Sequence, residues 1–274
     1  MKLSIETHTL RNRFGNDTAV KMIRDAGFDA YDFSFYGEFD LLSDDFQEKA
    51  HALRALSDSL GISCNQAHAP MDMKGTDTFC PDNPSYHMLC RSMEAASILG
   101  APHIIVHAVS TSLPSGVGIH EFNRAFYSSL FPLCEKHNIR ICAENISGCF
   151  RDPAELNAFV TDMDSPWLRV CADIGHFTLA GFKPEEALLQ LDPELFAGIH
   201  VQDNNLLQDD HLLPWWGQLN WDGITRSLAK VGYQGDLTLE IFKALDRQDP
   251  QNLPAALKFA EQTGRLLIQK IRSA

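Results

Sequence analysis

Residue types that bind divalent metals recur at a regular spacing through most of this sequence. Successive members are 27 to 40 residues apart, which is about the length of one strand and one helix. The set consists of His68, His107, Glu144, Asp173, His200 and Glu240. Imidazole nitrogens and carboxylate oxygens together suit Mn²⁺, Zn²⁺, Co²⁺ or Mg²⁺. The spacing therefore predicts that successive strand and helix units deliver these side chains to one ring that holds a metal.

Three further candidates lie close to this set in the sequence. His176 follows Asp173 by three residues, and Asp209 and His211 follow His200. One histidine alone is more often an ordinary hydrogen-bonded residue than a ligand. Glu144 and Glu240 differ, because each ends an apolar run where an unpaired carboxylate would carry a heavy desolvation cost. A bound cation would offset that cost, so nine residues are candidate ligands.

The ligand types indicate a reaction as well as a metal. Glu144, Asp173, His200 and Glu240 make a mixed oxygen and nitrogen set that leaves coordination positions open for a substrate. On a hydroxy-ketone, a metal would stabilise an enediolate while Glu144 and Glu240 act as the catalytic carboxylates that move the proton. This is the chemistry of an isomerase or epimerase.

The elements that must position these residues are short apolar runs alternating with longer amphipathic stretches. The predicted strands are Lys2–Glu6, Ala30–Ser34, Ile62–Ala67, His103–His107, Arg140–Glu144, Leu168–Asp173, Phe196–His200 and Asp236–Glu240. The predicted helices are Asp17–Ala26, Asp44–Leu60, Pro84–Leu99, Ile119–His137, Pro153–Thr161, Pro184–Gln190, Trp221–Lys230 and Leu253–Lys270.

Eight such units predict an α/β fold, a (β/α)₈ TIM barrel, with residues 1–274 as one domain. The alternative is an open doubly wound sheet, which shares the same alternation. No G-x-G-x-x-G follows the first strand, where a dinucleotide-binding sheet would carry it, so the closed barrel is favoured.

In a barrel the site lies at the carboxyl ends of the strands, which adds candidate substrate contacts. Glu6 ends the first strand, and His68 and His176 face the same rim. Trp215 and Trp216 belong to a rim loop and could stack on a sugar ring. The alternative for this pair is a loop fixed to the barrel or a subunit contact, and a homo-oligomer is left open.

Composition narrows the ligand class. The chain of 274 residues has 23 Lys and Arg against 36 Asp and Glu, a formal net charge of −13. Such a surface repels polyanions, which disfavours nucleic acid and anionic membranes and leaves a small carbohydrate as the expected partner. No apolar run reaches the length that a membrane-spanning helix needs. The acidic Glu6 lies where a secretory signal would be apolar, so we expect a cytoplasmic protein.

Five motifs together resemble the xylose isomerase-like barrel superfamily, which includes sugar isomerases, ketose 3-epimerases and AP endonucleases. The motifs are Cys142–Gly148 (CAENISG), Asp173–His176 (DIGH), His200–Asn204 (HVQDN), Asp209–His211 (DDH) and Leu239–Glu240. The resemblance to the epimerase branch implies one metal on Glu144, Asp173, His200 and Glu240, with His176 against the substrate. Two positions differ from that branch: Phe150 replaces a glutamate and Leu206 replaces an arginine.

The resemblance to the AP endonuclease branch implies three zinc ions, because all nine ligand types match in order. One ion would take His68, His107 and a shared Glu144, the second the central four residues, and the third His176, Asp209 and His211. We therefore expect one tight Mn²⁺ or Zn²⁺ ion, and up to three ions if every position loads. The expected activity is that of a metal-dependent sugar or sugar-phosphate isomerase or epimerase. The alternatives are a multi-zinc phosphodiesterase and a barrel that binds sugar or metal without turnover.

Overall fold

Eight parallel strands close into a barrel in the part of the chain that the structure describes. This structure is a computed structural model that describes residues 1–37, 43–70, 73–146 and 148–274, so Ser147 of the CAENISG motif lies outside it. The strands are β1 (Leu3–Glu6), β2 (Ala30–Ser34), β3 (Ser63–His68), β4 (His103–Ile105), β5 (Arg140–Glu144), β6 (Leu168–Asp173), β7 (Phe196–Val201) and β8 (Leu237–Leu239). The ring closes where Leu3 of β1 pairs with Leu237 of β8. The predicted (β/α)₈ barrel is confirmed.

The helices surround this barrel and include every helix predicted above, with small shifts at their ends. They are α1 (His8–Phe14), α2 (Asn16–Ala26), α3 (Phe46–Leu60), α4 (Pro84–Leu99), α5 (Ile119–His137), α6 (Pro153–Asp162), α7 (Ile174–Leu179), α8 (Pro184–Ala187), α9 (Trp221–Val231), α10 (Phe242–Asp246) and α11 (Leu253–Ser273). A 3₁₀ turn at Leu188–Gln190 continues α8. None of these described helices has the length and apolarity to cross a membrane.

Three short helices, α1, α7 and α10, were not predicted from the sequence. Each directly follows a strand, namely β1, β6 and β8, at the carboxyl end of the barrel. Helices of five to seven residues are too short to give a clear apolar period. At the start of α7, the Asp173 side chain accepts the His176 backbone N–H at 2.8 Å. These helices matter for the site because they hold His8, His176 and Phe242 at the rim.

Alternation along the strands points the candidate ligands into the barrel. On β6, Val170 and Ala172 belong to the core shared with the outer helices, whereas Cys171 belongs to a small separate interior cluster. Successive side chains of a strand leave on opposite faces, so Asp173 shares the interior face with Cys171. On β5, Cys142 lies in the same interior cluster, and Glu144 follows it by two residues. The period of two therefore places both acids inside the barrel, at its carboxyl end.

Candidate active site

A cavity of about 720 Å³, including its open mouth, lies at the carboxyl end of the barrel. It is lined by Glu6, His8, Asp32, Ser34, Tyr36, His68, His107, Glu144, Ile146, His176, Asp209, His211, Glu240 and Phe242. Asp173 and His200 are fully buried and lie beside Glu144 and Glu240. The structure thus brings all nine candidate ligands to one end of the barrel.

The central group consists of Glu144, Asp173, His200 and Glu240. Each contributes a donor atom, and these four atoms lie within 4.8 Å of one another. His200 Nδ1 is 3.0 Å from Glu144 Oε1 and 3.5 Å from Glu240 Oε2. Three carboxylates this close, two of them buried and that of Glu240 partly buried, repel one another unless positive charge lies between them. The donor set therefore fits a divalent cation.

The pKa values of the two glutamates move in opposite directions. Burial raises the pKa of Glu240 well above its ordinary value, and the charges of Asp173 and Glu144 add to the rise. Burial also opposes ionisation of Glu144, but the His200 charge and hydrogen bonds from His107 and His200 hold its pKa well below the ordinary value. Two carboxyls whose environments separate their pKa values are suited to opposite roles in proton transfer.

Two outer groups flank the central one. His68 Nε2 lies 3.1 Å from His107 Nε2, which is 2.8 Å from Glu144 Oε2. On the other side, Asp209 Oδ2 lies 2.7 Å from His211 Nε2, and Asp209 Oδ1 lies 3.5 Å from His176 Nε2. Each outer set could hold a metal ion, and Glu144 belongs both to the first set and to the central group.

Backbone carbonyls orient three of these histidines. Nδ1 of His68, His176 and His211 each lies 3.0 Å from a carbonyl oxygen, of Ala69, Asn145 and Glu240 respectively. A carbonyl oxygen can only accept a hydrogen bond, so Nδ1 carries a hydrogen in each ring, and Nε2 is the nitrogen that faces its group and could bind a metal. Metal-binding histidines are held in the same way by hydrogen bonds on the opposite ring nitrogen.

The comparisons with known proteins agree with this architecture. A family model described as "xylose isomerase-like TIM barrel" matches residues 20–263. The chain belongs to this family. It is 27% identical over 162 residues to the uncharacterized protein y4fM of Sinorhizobium fredii, a match that covers 56% of this chain. The matched segment covers 51% of that relative, so the chain spans about half the length of the relative.

Solved structures with the same fold superpose over nearly the whole chain. A D-tagatose 3-epimerase-like protein has a TM-score of 0.78 at 21% identity, covering 100% of this chain and 99% of that protein. The 3-keto-D-glucoside 4-epimerase YcjR from E. coli has a TM-score of 0.75 at 16% identity, covering 97% and 99%. At these identities the likeness shows a shared fold.

Among the predicted substrate contacts of this xylose isomerase-like barrel, Glu6, His68 and His176 line the cavity, whereas Trp215 and Trp216 do not. The Trp216 ring packs against Phe259 of α11 with 6.2 Å between ring centroids. The ring centroid of Trp215 lies 6.2 Å from that of Trp221, the first residue of α9. Each tryptophan thus contacts an outer helix, while Trp215 is 42% and Trp216 53% exposed, and their role as substrate contacts stays a prediction.

Asp32 is a residue of the site that the sequence reasoning missed. Its Oδ2 lies 3.2 Å from His200 Nε2 and accepts a hydrogen bond from Gln66 Nε2 at 2.8 Å. Attention to strand ends overlooked it, because it lies two residues before the end of β2. The available signal was an acid inside the otherwise uncharged run Ala30–Ser34. Ser34 and Phe242 of the lining were missed as well.

Proposed function

We propose that this xylose isomerase-like barrel is a divalent-metal-dependent isomerase or epimerase that moves a proton next to a sugar carbonyl. The observation that carries the proposal is the pair Glu144 and Glu240, which both line the cavity and each lie within 3.5 Å of His200 Nδ1. Proton removal and return need one basic and one acidic group within reach of the same carbon. The names of the epimerases with the same fold support this reaction class.

The residues that would hold the metal are Glu144, Asp173, His200 and Glu240, and we propose Mn²⁺ or Zn²⁺ as the ion. When bound, the ion would polarise the substrate carbonyl and acidify the neighbouring C–H. One of the two glutamates would remove the proton from that carbon, and the other would return a proton. His68 and His176 would contact the substrate hydroxyls from the rim of the same cavity.

The proposal is tested by proton exchange. Protein loaded with Mn²⁺ is incubated in D₂O with a panel of ketoses, free and phosphorylated, and deuterium incorporation is followed by NMR. We expect exchange into at least one ketose, its loss after chelation and its recovery on adding Mn²⁺. A fully metal-loaded protein that exchanges no proton in any member of the panel would contradict the proposal.

A second candidate, a multi-metal phosphodiesterase, is favoured by the three ligand groups, two of which share Glu144. Such clusters activate water and stabilise both oxygens of a phosphoryl displacement. The net charge of −13 opposes it, because DNA binding depends on neutralising phosphates. We therefore expect a duplex with an abasic site to bind no better than plain duplex. Efficient incision of that duplex would favour the second candidate, and metal loading without either activity would favour binding without turnover.

A further inference from the structure

A fully buried amide, Gln202, lies between the central group and one of the two outer groups. It directly follows β7. Its Nε2 lies 2.6 Å from Asp209 Oδ1 and 3.3 Å from Asp173 Oδ1. Asp173 belongs to the central group, and Asp209 belongs to the outer group of His176, Asp209 and His211, the His176 group. One side chain therefore contacts a ligand of each group.

The amide of Gln202 makes hydrogen bonds at both of its ends. Its NH₂ group has two hydrogens, one for each of the two carboxylates. Its carbonyl oxygen, Oε1, accepts the backbone N–H of His211 at 3.2 Å. His211 has a φ of +44°, in the left-handed region that residues other than glycine adopt at a cost. Gln202 thus fixes the Asp209 side chain and the backbone of His211, which are two of the three ligands in the His176 group.

The neutral charge of this donor suits a position between metal ligands. A lysine in place of Gln202 could donate to the same oxygens, but its charge would repel an ion held by Asp173 or Asp209. An amide orients the carboxylates and adds no positive charge. Hydrogen bonds on ligand side chains orient them and raise the affinity for the metal. The contacts of Gln202 therefore fit a residue that positions ligands without binding the ion.

The two groups depend on Gln202 to different degrees. Asp173 has further support, because its Oδ1 accepts the backbone N–H of His176 at 2.8 Å. Among the described residues, the other polar partners of the Asp209 side chain are His176 and His211, the two histidines of its own group. Loss of the amide should therefore weaken the His176 group more than the central group.

We infer that Gln202 is a positioning residue that holds the His176 group in a metal-binding geometry and joins that group to the central one. The inference rests on the metal dependence of the proposed function, and it assigns a role to a residue that the proposed reaction does not use. The fold supports it from the opposite side, where Gly175 of α7 leaves the space that the amide occupies. A Cβ on Gly175 would lie 2.4 Å from Gln202 Cδ.

Variants of Gln202 should keep the fold, because the loop between β7 and α9 has a second anchor. The buried carboxylate of Asp203 accepts the backbone N–H groups of Trp215 and Leu219 at 2.9 and 3.1 Å. It also accepts the indole N–H of Trp221 at 2.8 Å. This anchor holds the loop independently of Gln202, so an effect of a Gln202 variant on metal binding can be measured in a folded protein.

The first test removes the donor and keeps the shape. Gln202→Met has an unbranched side chain of similar length without an N–H. Metal-free wild type and variant are titrated with Zn²⁺ at pH 7.5, and the imidazole nitrogens are followed by NMR. We expect half-saturation of the His176 and His211 rings to need at least about tenfold more free Zn²⁺, and that of His200 to change less than about threefold.

The matched control is Gln208→Met, which changes an exposed glutamine in the same loop and should titrate like the wild type. An equal shift at His200, His176 and His211 would mean that Gln202 only supports the fold, which overturns the inference. Unchanged half-saturation in Gln202→Met overturns it as well. So does a wild type in which Zn²⁺ never reaches His176 and His211.

The second test displaces the amide without altering it. Gly175→Ala brings a methyl group into the space of the Gln202 amide, and alanine is the residue that helices favour most. We expect the same loss at the His176 group as in Gln202→Met. The double variant should lose no more than either single variant, because both act through one contact. Losses that add, or a Gly175→Ala that titrates like the wild type, would contradict the inference.

The inference and the proposed function fail in different ways. The expected difference between the two groups without proton exchange into any ketose would remove the proposed function and leave the role of Gln202 standing. Proton exchange together with an equal effect of Gln202→Met on both groups would keep the isomerase or epimerase and remove the inference. If Gln202→Met does not fold, Gly175→Ala decides by the same titration.

Discussion

Asp32 Oδ2 lies 3.2 Å from His200 Nε2, while Nδ1 of the same ring faces the carboxylates of Glu144 and Glu240. Both Asp32 and His200 are buried. A carboxylate that accepts from one ring nitrogen fixes the orientation of the imidazole and makes the other nitrogen a better metal ligand. Through this contact, Asp32 acts as a positioning residue for the central group.

The first prediction therefore concerns Asp32→Asn. The amide oxygen can still accept from His200 Nε2, but it carries no charge, so the ring becomes a weaker ligand. We expect the affinity of the central group for metal to fall about 10- to 100-fold while the fold is kept. Competition with a chelating dye measures this affinity. Asp82→Asn, at an exposed position, is the control, and equal affinities in both variants would contradict the role given to Asp32.

The second prediction concerns Glu240→Gln, which keeps the shape of the side chain but replaces the carboxyl with an amide that cannot gain or lose a proton. Burial and neighbouring carboxylates raise the pKa of Glu240 and so favour its neutral form, and a neutral amide in its place should not destabilise the metal-free fold. We expect proton exchange to fall at least about 100-fold, because the variant cannot carry the proton. Proton exchange is measured by NMR and stability by thermal unfolding. The control is Glu194→Gln, which changes an exposed glutamate. Full metal content together with full turnover would show that the site is assigned wrongly.

The third prediction is a pH dependence of stability that Glu6 causes in the metal-free protein. Burial raises the pKa of Glu6 from 4.5 to about 8, and the charge of Asp32 adds to the rise. Between these values the unfolded chain loses the proton that the folded chain keeps, so the free energy of unfolding falls as pH rises. The contribution is roughly 1.4 kcal/mol for each pKa unit.

Glu6→Gln should remove this dependence. We expect the free energy of unfolding of the variant, minus that of the wild type, to be larger at pH 8 than at pH 5. Urea unfolding after chelation measures both free energies. Glu194→Gln should show the same difference from the wild type at both pH values. A stability difference for Glu6→Gln that does not change between pH 5 and pH 8 would mean that this carboxyl is not protonated in the folded protein.

Much of the barrel could be predicted because its strands are apolar runs of the right length. Arg140–Glu144 and Leu168–Asp173 are strands with the predicted bounds, and each ends on an acid that lies in the site. His107 instead lies two residues beyond β4, which ends at Ile105, yet it still reaches Glu144. Strand ends identify such residues because all parallel strands end on one rim.

The remaining features depend on contacts between distant parts of the chain. Asp32 acquires its role from His200, which follows it five strands later, and nothing in the local pattern around Asp32 identifies that partner. Trp216 is not among the cavity-lining residues and contacts Phe259 of α11, a partner that the local pattern around Trp216 does not identify. Local periodicity predicts elements, whereas the direction of a side chain in a long loop follows from packing that only the folded chain defines.

The last prediction concerns the order in which the three ligand groups hold metal. The group of His176, Asp209 and His211 needs two neutral imidazoles, whereas the central group needs one and offers three carboxylates. Burial opposes protonation, but neighbouring carboxylates raise the pKa of His176 to about 10 and that of His200 well above its ordinary value, so a proton competes with the metal at each imidazole, and the outer group has two of them. We therefore expect the central ion to be held most tightly and the ion at His176 to leave first on acidification.

Metal counts per chain test this order. Four Zn²⁺-loaded proteins are dialysed at pH 7.5 and at pH 5.5. They are the wild type, His211→Ala, Glu144→Gln and the control His51→Ala, which changes an exposed residue. We expect the wild type to keep the central ion at pH 5.5, and His211→Ala to keep it at pH 7.5 as well. Glu144→Gln should lose metal from two groups, because Glu144 belongs to both. Three ions that survive pH 5.5, or loss of the central ion in His211→Ala, would show one interdependent cluster. Since interdependent clusters are suited to phosphodiester cleavage, that result would favour the phosphodiesterase over the epimerase.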